Sequence, residues 1–191
     1  VSMGDITMQS TILYNIAADS LSRISLLSAA GHVAADELRR VELEIGSVTN
    51  LDIGAGIESL RSSIAILHAQ LDVVRGRWRE AVDQYDQCLD AACGAGHDRW
   101  MSKFLAERGL CLAMLGDLAR ATKDVEDSLV KIGDCEDLDD LAITHGRLAS
   151  AFAMLGLDEQ KLVHQERSAE CLSRYRAEQE ALRTRLPSFN P

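Results

Sequence analysis

The stretch TNLDIGAGIESL, residues 49–60, sets two glycines, Gly54 and Gly56, behind a short apolar run. Glycines in that setting let a backbone approach a cofactor closely, provided they join a buried strand to a helix. The acidic segment GDCEDLDDLA, residues 133–142, is the next candidate. A calcium loop alternates acids at fixed offsets around a central glycine and ends on a glutamate, and this segment does not. Carboxylates that open a helix favour its dipole, so a capped, solvated helix start is expected there. The five histidines, His32, His68, His97, His145 and His164, show no HExxH or comparable ligand spacing. Cys93 and His97 lie four apart, but Gly94 and Gly96 interrupt the helix that would align them. Cys88, Cys93, Cys111, Cys135 and Cys171 are odd in number and contain no CxxC pair. Several fall at apolar helical positions, so they read as reduced, buried thiols. No GxSxG, no phosphate-cradling GxxxxGK and no spaced acid/base pair stands out. These residues point away from an enzyme and call for no metal and no cofactor.

LDIGAG resembles the cofactor-binding turn of S-adenosylmethionine-dependent methyltransferases. That resemblance implies a buried parallel strand before the glycines and a sheet around it. The flanks speak for something else. EIGSVTN is not a β-branched apolar run, Ile57 and Glu58 follow Gly56 where a third glycine is usual, and everything after Ile57 has helical spacing. Residues 47–56 are expected to be a loop between two helical pairs, with Gly56 near the start of the next helix. A methyltransferase is kept as the remote alternative.

The elements that must position these residues are helical. The chain has 191 residues, 47% apolar and 26% charged, and only two prolines, Pro187 and Pro191. A chain with no proline before residue 187 leaves long helices unobstructed, and its abundant Ala and Leu favour them. The net charge of −10 argues against a nucleic-acid surface, which needs clustered Lys and Arg, and against an anionic membrane. No run of 18 apolar residues exists and the N-terminus shows no signal peptide, so a cytoplasmic protein is expected. The chain starts on Val1 rather than Met, so an expression scar or an excised fragment is expected at that end.

Three segments align on a glycine. AILHAQLDVVRGRWREAVDQYDQCL turns at Gly76, LAERGLCLAMLGDLARATKDVEDSL at Gly116 and HGRLASAFAMLGLDEQKLVHQERSA at Gly156, a constant step of 40 residues. Each unit reads helix, tight turn, helix. Before Gly76, Ile57, Leu60, Ile64, Leu67, Leu71 and Val74 share one helical face; after it, Trp78, Ala81, Tyr85 and Leu89 share another. Leu112, Leu115, Leu118, Ala121 and Val125 repeat the layout, as do Leu148, Phe152, Leu155 and Leu162. The shared glycine supplies the left-handed residue that ends the first helix.

Ala69, Gly76, Trp78, Ala81 and Tyr85 resemble the tetratricopeptide-repeat pattern. Gly109, Gly116, Leu118, Ala121 and Val125 follow it with aliphatics for aromatics, and Ala149 and Gly156 begin a third copy in which Lys161 and Gln165 replace the alanine and aromatic. The family proline is missing and the step is nearer 40 than the usual length of about 34. The resemblance implies an all-α fold, a right-handed superhelical stack of antiparallel helix pairs, about eight helices in all. It divides the chain into a degenerate helix pair and loop at 1–56, three repeats at 57–172, and an extension of the final helix with a tail at 173–191. Within 1–56, an initial helix runs to Gly31 and a second, VAADELRRVELEI, is expected to end at Gly46. Towards the C-terminus, Leu172, Tyr175, Gln179, Leu182 and Leu186 are spaced along one face.

The resemblance also implies a concave groove lined by the first helix of each pair. Its residues would be Ser63, Leu67, Gln70 and Val73, then Lys103, Glu107, Leu110 and Met114, then Arg147, Ser150 and Met154. The expectation is a non-catalytic protein–protein interaction module for a protein or peptide partner, with no nucleic acid and no membrane. It is expected to be the regulatory or sensory part of a larger bacterial signalling protein, such as a diguanylate cyclase or transcription regulator. A homo-oligomerising scaffold, a homodimer for instance, is the alternative.

Overall fold

The computed structural model describes residues 3–29, 34–55, 60–94 and 98–185. They form eight α-helices: α1 (Met3–Ala29), α2 (Ala35–Ala55), α3 (Arg61–Val74), α4 (Trp78–Gly94), α5 (Met101–Met114), α6 (Leu118–Lys131), α7 (Leu138–Met154) and α8 (Asp158–Arg185). Single 3-10 turns, Asp98–Trp100 and Ile132–Asp134, precede α5 and follow α6. No strand occurs among the described residues, and none of their helices is long and apolar enough to cross a membrane. The helices pack as adjacent pairs: α1 on α2, α3 on α4, α5 on α6 and α7 on α8.

The three glycine turns are one motif used three times. Gly76, Gly116 and Gly156 have φ of 70°, 82° and 73°, the positive values an L side chain resists. In each turn the glycine N–H donates to the carbonyl three residues back, Val73, Ala113 or Ala153. The next N–H, of Arg77, Asp117 or Leu157, donates five residues back, at 2.9 Å each time. This pair of bonds closes the end of the first helix. The same residue then opens the second helix, its carbonyl accepting from Ala81, Ala121 or Lys161 at 3.0 Å. Asp117 adds its carboxylate to the Arg120 N–H.

The N-terminal pair departs from expectation at its second helix. Residues 47–55 are not a loop, because α2 continues through Gly46 and Gly54 to Ala55. Val41, Ile45 and Val48 are all buried, so the apolar spacing carries on past Gly46. A mid-helix glycine costs about 1 kcal/mol, less than exposing Val48 would. LDIGA is therefore helical, and the strand and turn that a methyltransferase needs are not formed there. Gly31, His32, Gly56, Ile57, Gly96, His97 and Leu186 lie outside the described residues.

One interior cluster joins α3 to α6 around Tyr85, Phe104, Leu112 and Ala121. A second joins α5, α6 and α7 around Leu110, Val125, Leu148 and Phe152. Ala81 and Ala121 are fully buried, as expected of small residues where paired helices meet. Gly109 serves the same end: a Cβ there would stand 3.3 Å from Asp124 Cβ and Val125 Cγ2. The third cluster sets Ala17, Leu21 and Ile24 of α1 against Val41 and Ile45 of α2 and Leu67 and Leu71 of α3. α1 does more than begin the stack, since it also packs on α7, three helix pairs further along the chain. α8 is mostly solvated: Leu162 and Leu182 are exposed and His164 alone among its described residues is fully buried.

Candidate functional site

The first helices α3, α5 and α7 form one face, and α1 runs across it. Ser63 and Leu67 lie beneath α1: Leu67 packs with Ala17, Leu21 and Ile24, and Tyr14 shares a side-chain hydrogen bond with Ser63. Ile143 of α7, one 40-residue step beyond Lys103, is buried. Asp140 and Lys103 line a cavity of about 270 Å³ together with Tyr14, Asn15 and Ser22 of α1 and with Trp100 and Phe104. α1 thus bridges from α3 to α7 and stands off from the start of α5 between them.

Two buried polar clusters tie the first helices together. Gln70 Nε2 and Tyr85 Oη donate to Glu107 Oε2 at 3.1 and 2.6 Å, and Glu107 is wholly buried. Burial and the adjacent Glu107 carboxylate hold the Tyr85 phenol well above its ordinary value, so it stays a donor. Arg147 Nε lies 4.0 Å from Glu107 Oε1. Neither that oxygen nor Arg147 Nε and Nη2 has a hydrogen-bond partner among the described residues. In the second cluster, Lys103 Nζ donates to Asp140 Oδ1 at 2.5 Å. Burial pulls the Lys103 ammonium down, but Asp140, with Glu107 behind it, outweighs that and leaves it raised and charged.

The expected groove therefore splits in two. Ser63, Leu67, Gln70, Val73, Lys103, Glu107, Leu110 and Arg147 are buried, whereas Met114, Ser150 and Met154 are exposed. Val73 is an interior residue, packed with Ala81, Val82 and Tyr85; its neighbour Val74 turns toward the α1–α2–α3 cluster. Leu110 packs between α5 and α7. Met114 and Met154, 40% and 48% exposed, occupy equivalent places at the ends of α5 and α7; Ser150, one turn before Met154, is exposed and donates its hydroxyl to the Gly146 carbonyl at 3.0 Å.

Asp140, Tyr14 and Tyr85 are not among the expected groove residues. The capped, solvated helix start expected at 133–142 holds only in part: Gly133, Asp134, Glu136 and Asp137 are exposed, but Asp137 makes no side-chain cap bond and Asp140 is buried against Lys103. A signal did exist, because Gln70–Glu107 and Lys103–Asp140 are both 37 residues apart, one helical turn short of the repeat. On the opposite side, Arg108 grips Asp124 with two bonds of 2.7 and 2.8 Å and reaches Asp86 at 3.0 Å, joining α4, α5 and α6.

The four described thiols are all held in their protonated form. Burial pushes Cys88 up to about 11 and Cys111 up to about 12, and Cys135 and Cys171 are raised by the same cause. Between α7 and α8, His145 Nδ1 and His164 Nδ1 face each other at 2.9 Å, with the Phe152 ring 5.3 Å from that of His164. Burial, then His164 and Arg167, lower His145 to about 4. Compared with protein-family models, curated proteins and solved structures, the chain finds no match.

Proposed function

We propose that this chain is a non-catalytic protein-interaction module that receives a polypeptide on the open half of the face formed by α5 and α7. The observation that carries the reading is the exposure of Met114 and Met154, repeated 40 residues apart as the last residues of α5 and α7, two helices that pack on one another. Methionine adapts to irregular apolar partners, and two anchors on neighbouring helices suit an extended or helical peptide. The resemblance to tetratricopeptide repeats supports the same reading and fits a regulatory segment of a larger signalling protein. A pull-down from the native lysate compares wild type with Met114→Glu/Met154→Glu. Both positions are exposed, so the variant keeps its helicity. A partner lost with the variant supports the reading, and one held equally by both sinks it.

A second reading, self-association, has its own observation. Met8, Ile12 and Ile16 are 59%, 51% and 46% exposed and, at intervals of four residues, they form an apolar stripe on the outer side of α1. A mass that doubles with concentration, and stays single in Ile12→Glu, would favour it.

A further inference from the structure

We infer that the cleft between α1 and the start of α5 is a binding site for a free aromatic α-amino acid, held by both of its charges. The inference stands apart from the interaction reading above: the cleft takes in Trp100, Lys103 and Phe104, at the opposite end of α5 from Met114.

The cleft is open to solvent, but its polar floor is interior. Of its lining residues, Gln70, Lys103 and Asp140 are only 8%, 7% and 6% exposed. Lys103 Nζ donates one hydrogen bond to Asp140 Oδ1. An ammonium has three N–H groups and a carboxylate about four acceptor positions, so each partner keeps capacity for a guest. A buried ion pair gives little stability beyond that of apolar residues of similar volume. Its place on the floor of a cleft therefore points to recognition.

The pair selects the guest. It sets a cation beside an anion and is neutral as a whole, and the exposed Arg99 and Asp19 add one charge of each sign to the lining. A guest with a net charge would leave that charge without a counterpart. A guest with its own anion next to its own cation matches the pair, its carboxylate on Lys103 and its ammonium on Asp140. A free α-amino acid carries the two on one carbon. Trp100, Phe104, Ile66 and Leu67 supply the apolar wall, and aromatic rings favour another ring at their edge or offset face. The volume of about 270 Å³ is just under the range of about 300–1,000 Å³ usual for small-molecule sites and suits a molecule of one residue. A larger open cleft adjoins it at Asp19 and Ser22, so a free amino acid has to be told apart from the end of a chain.

The test is calorimetric titration of the full chain with L-phenylalanine, L-phenylalaninamide and N-acetyl-L-phenylalanine. The amide lacks the anion and the acetylated form lacks the cation. Two variants accompany wild type. Lys103→Met/Asp140→Leu replaces the whole pair by apolar residues, a change that is often neutral or stabilising. Asn15→Phe fills the cleft from an exposed position on α1. L-Phenylalanine should bind wild type and shift the indole N–H resonance of Trp100 but not that of Trp78, which packs on the α3–α6 cluster. Each blocked analogue should bind at least about tenfold more weakly, the worth of one charged hydrogen bond, and both variants should lose binding while keeping wild-type helicity. No binding of L-phenylalanine at millimolar concentration would overturn the inference. So would equal affinity for a blocked analogue, which would assign the cleft to a chain end, or undiminished binding by either variant. None of these outcomes bears on lysate binding by Met114→Glu/Met154→Glu, so the two readings fail separately.

Discussion

Acid should unfasten the α7–α8 pair through His145. The ring is buried 2.9 Å from His164, and its folded value is about 4, while an unfolded histidine titrates near 6.5. The unfolded chain therefore binds the proton first. A depressed folded value means that stability is complete above about pH 6.5 and is lost as pH falls toward 4. From pH 7 to pH 5 the loss from this one group is about 2 kcal/mol, a large share of a domain's total of about 5–15 kcal/mol. His164, lowered by burial and Arg167, acts in the same direction. Urea unfolding at pH 7, 6 and 5, for wild type and His145→Gln, isolates the effect from the carboxylates that titrate in both proteins. The stability difference should shrink or reverse by about 2 kcal/mol over that range. A difference that stays constant with pH would refute the reasoning.

Other perturbations test the packing. Gly116→Ala meets no neighbour within 4 Å but keeps a φ of 82°, and should cost about 1–2 kcal/mol in urea unfolding. Gly109→Ala has ordinary helical geometry yet drives a methyl toward Asp124 and Val125, so a loss of about 1–3 kcal/mol is expected for overpacking. Tyr85→Phe removes the 2.6 Å bond to Glu107 and should lower stability by about 1–3 kcal/mol. With a thiol reagent under native conditions, half-buried Cys171 should react well before buried Cys88 and Cys111, followed by mass spectrometry of the labelled peptides.

The repeat is legible because a positive φ leaves a mark that only glycine makes easily, and three such glycines fall 40 residues apart. Met114 and Met154 are legible for the same reason, as equivalent places in neighbouring units. The end of α2 is not, because glycine is a turn signal only where the apolar spacing stops, and Val48 carries it on past Gly46. Asp140 reads in sequence like the surface acids around it; its burial follows from Lys103, a contact that forms only when α5 and α7 lie side by side. The course of α1 across the face is hidden as well. Its inner side is largely Ser and Ala, so it announces no strong apolar stripe, while its outer side shows Met8, Ile12 and Ile16. Eight of the eleven expected groove residues are buried beneath α1 or between packed helices.

The most direct measurement is site-specific photo-crosslinking of the full chain in its native cells, with the probe placed at Met154 and, for comparison, at Val130, which is 84% exposed on α6. The account predicts one adduct at position 154 that is absent at position 130 and disappears when Met114→Glu is added. Adducts of equal yield at both positions, or an adduct at position 130 alone, would contradict it.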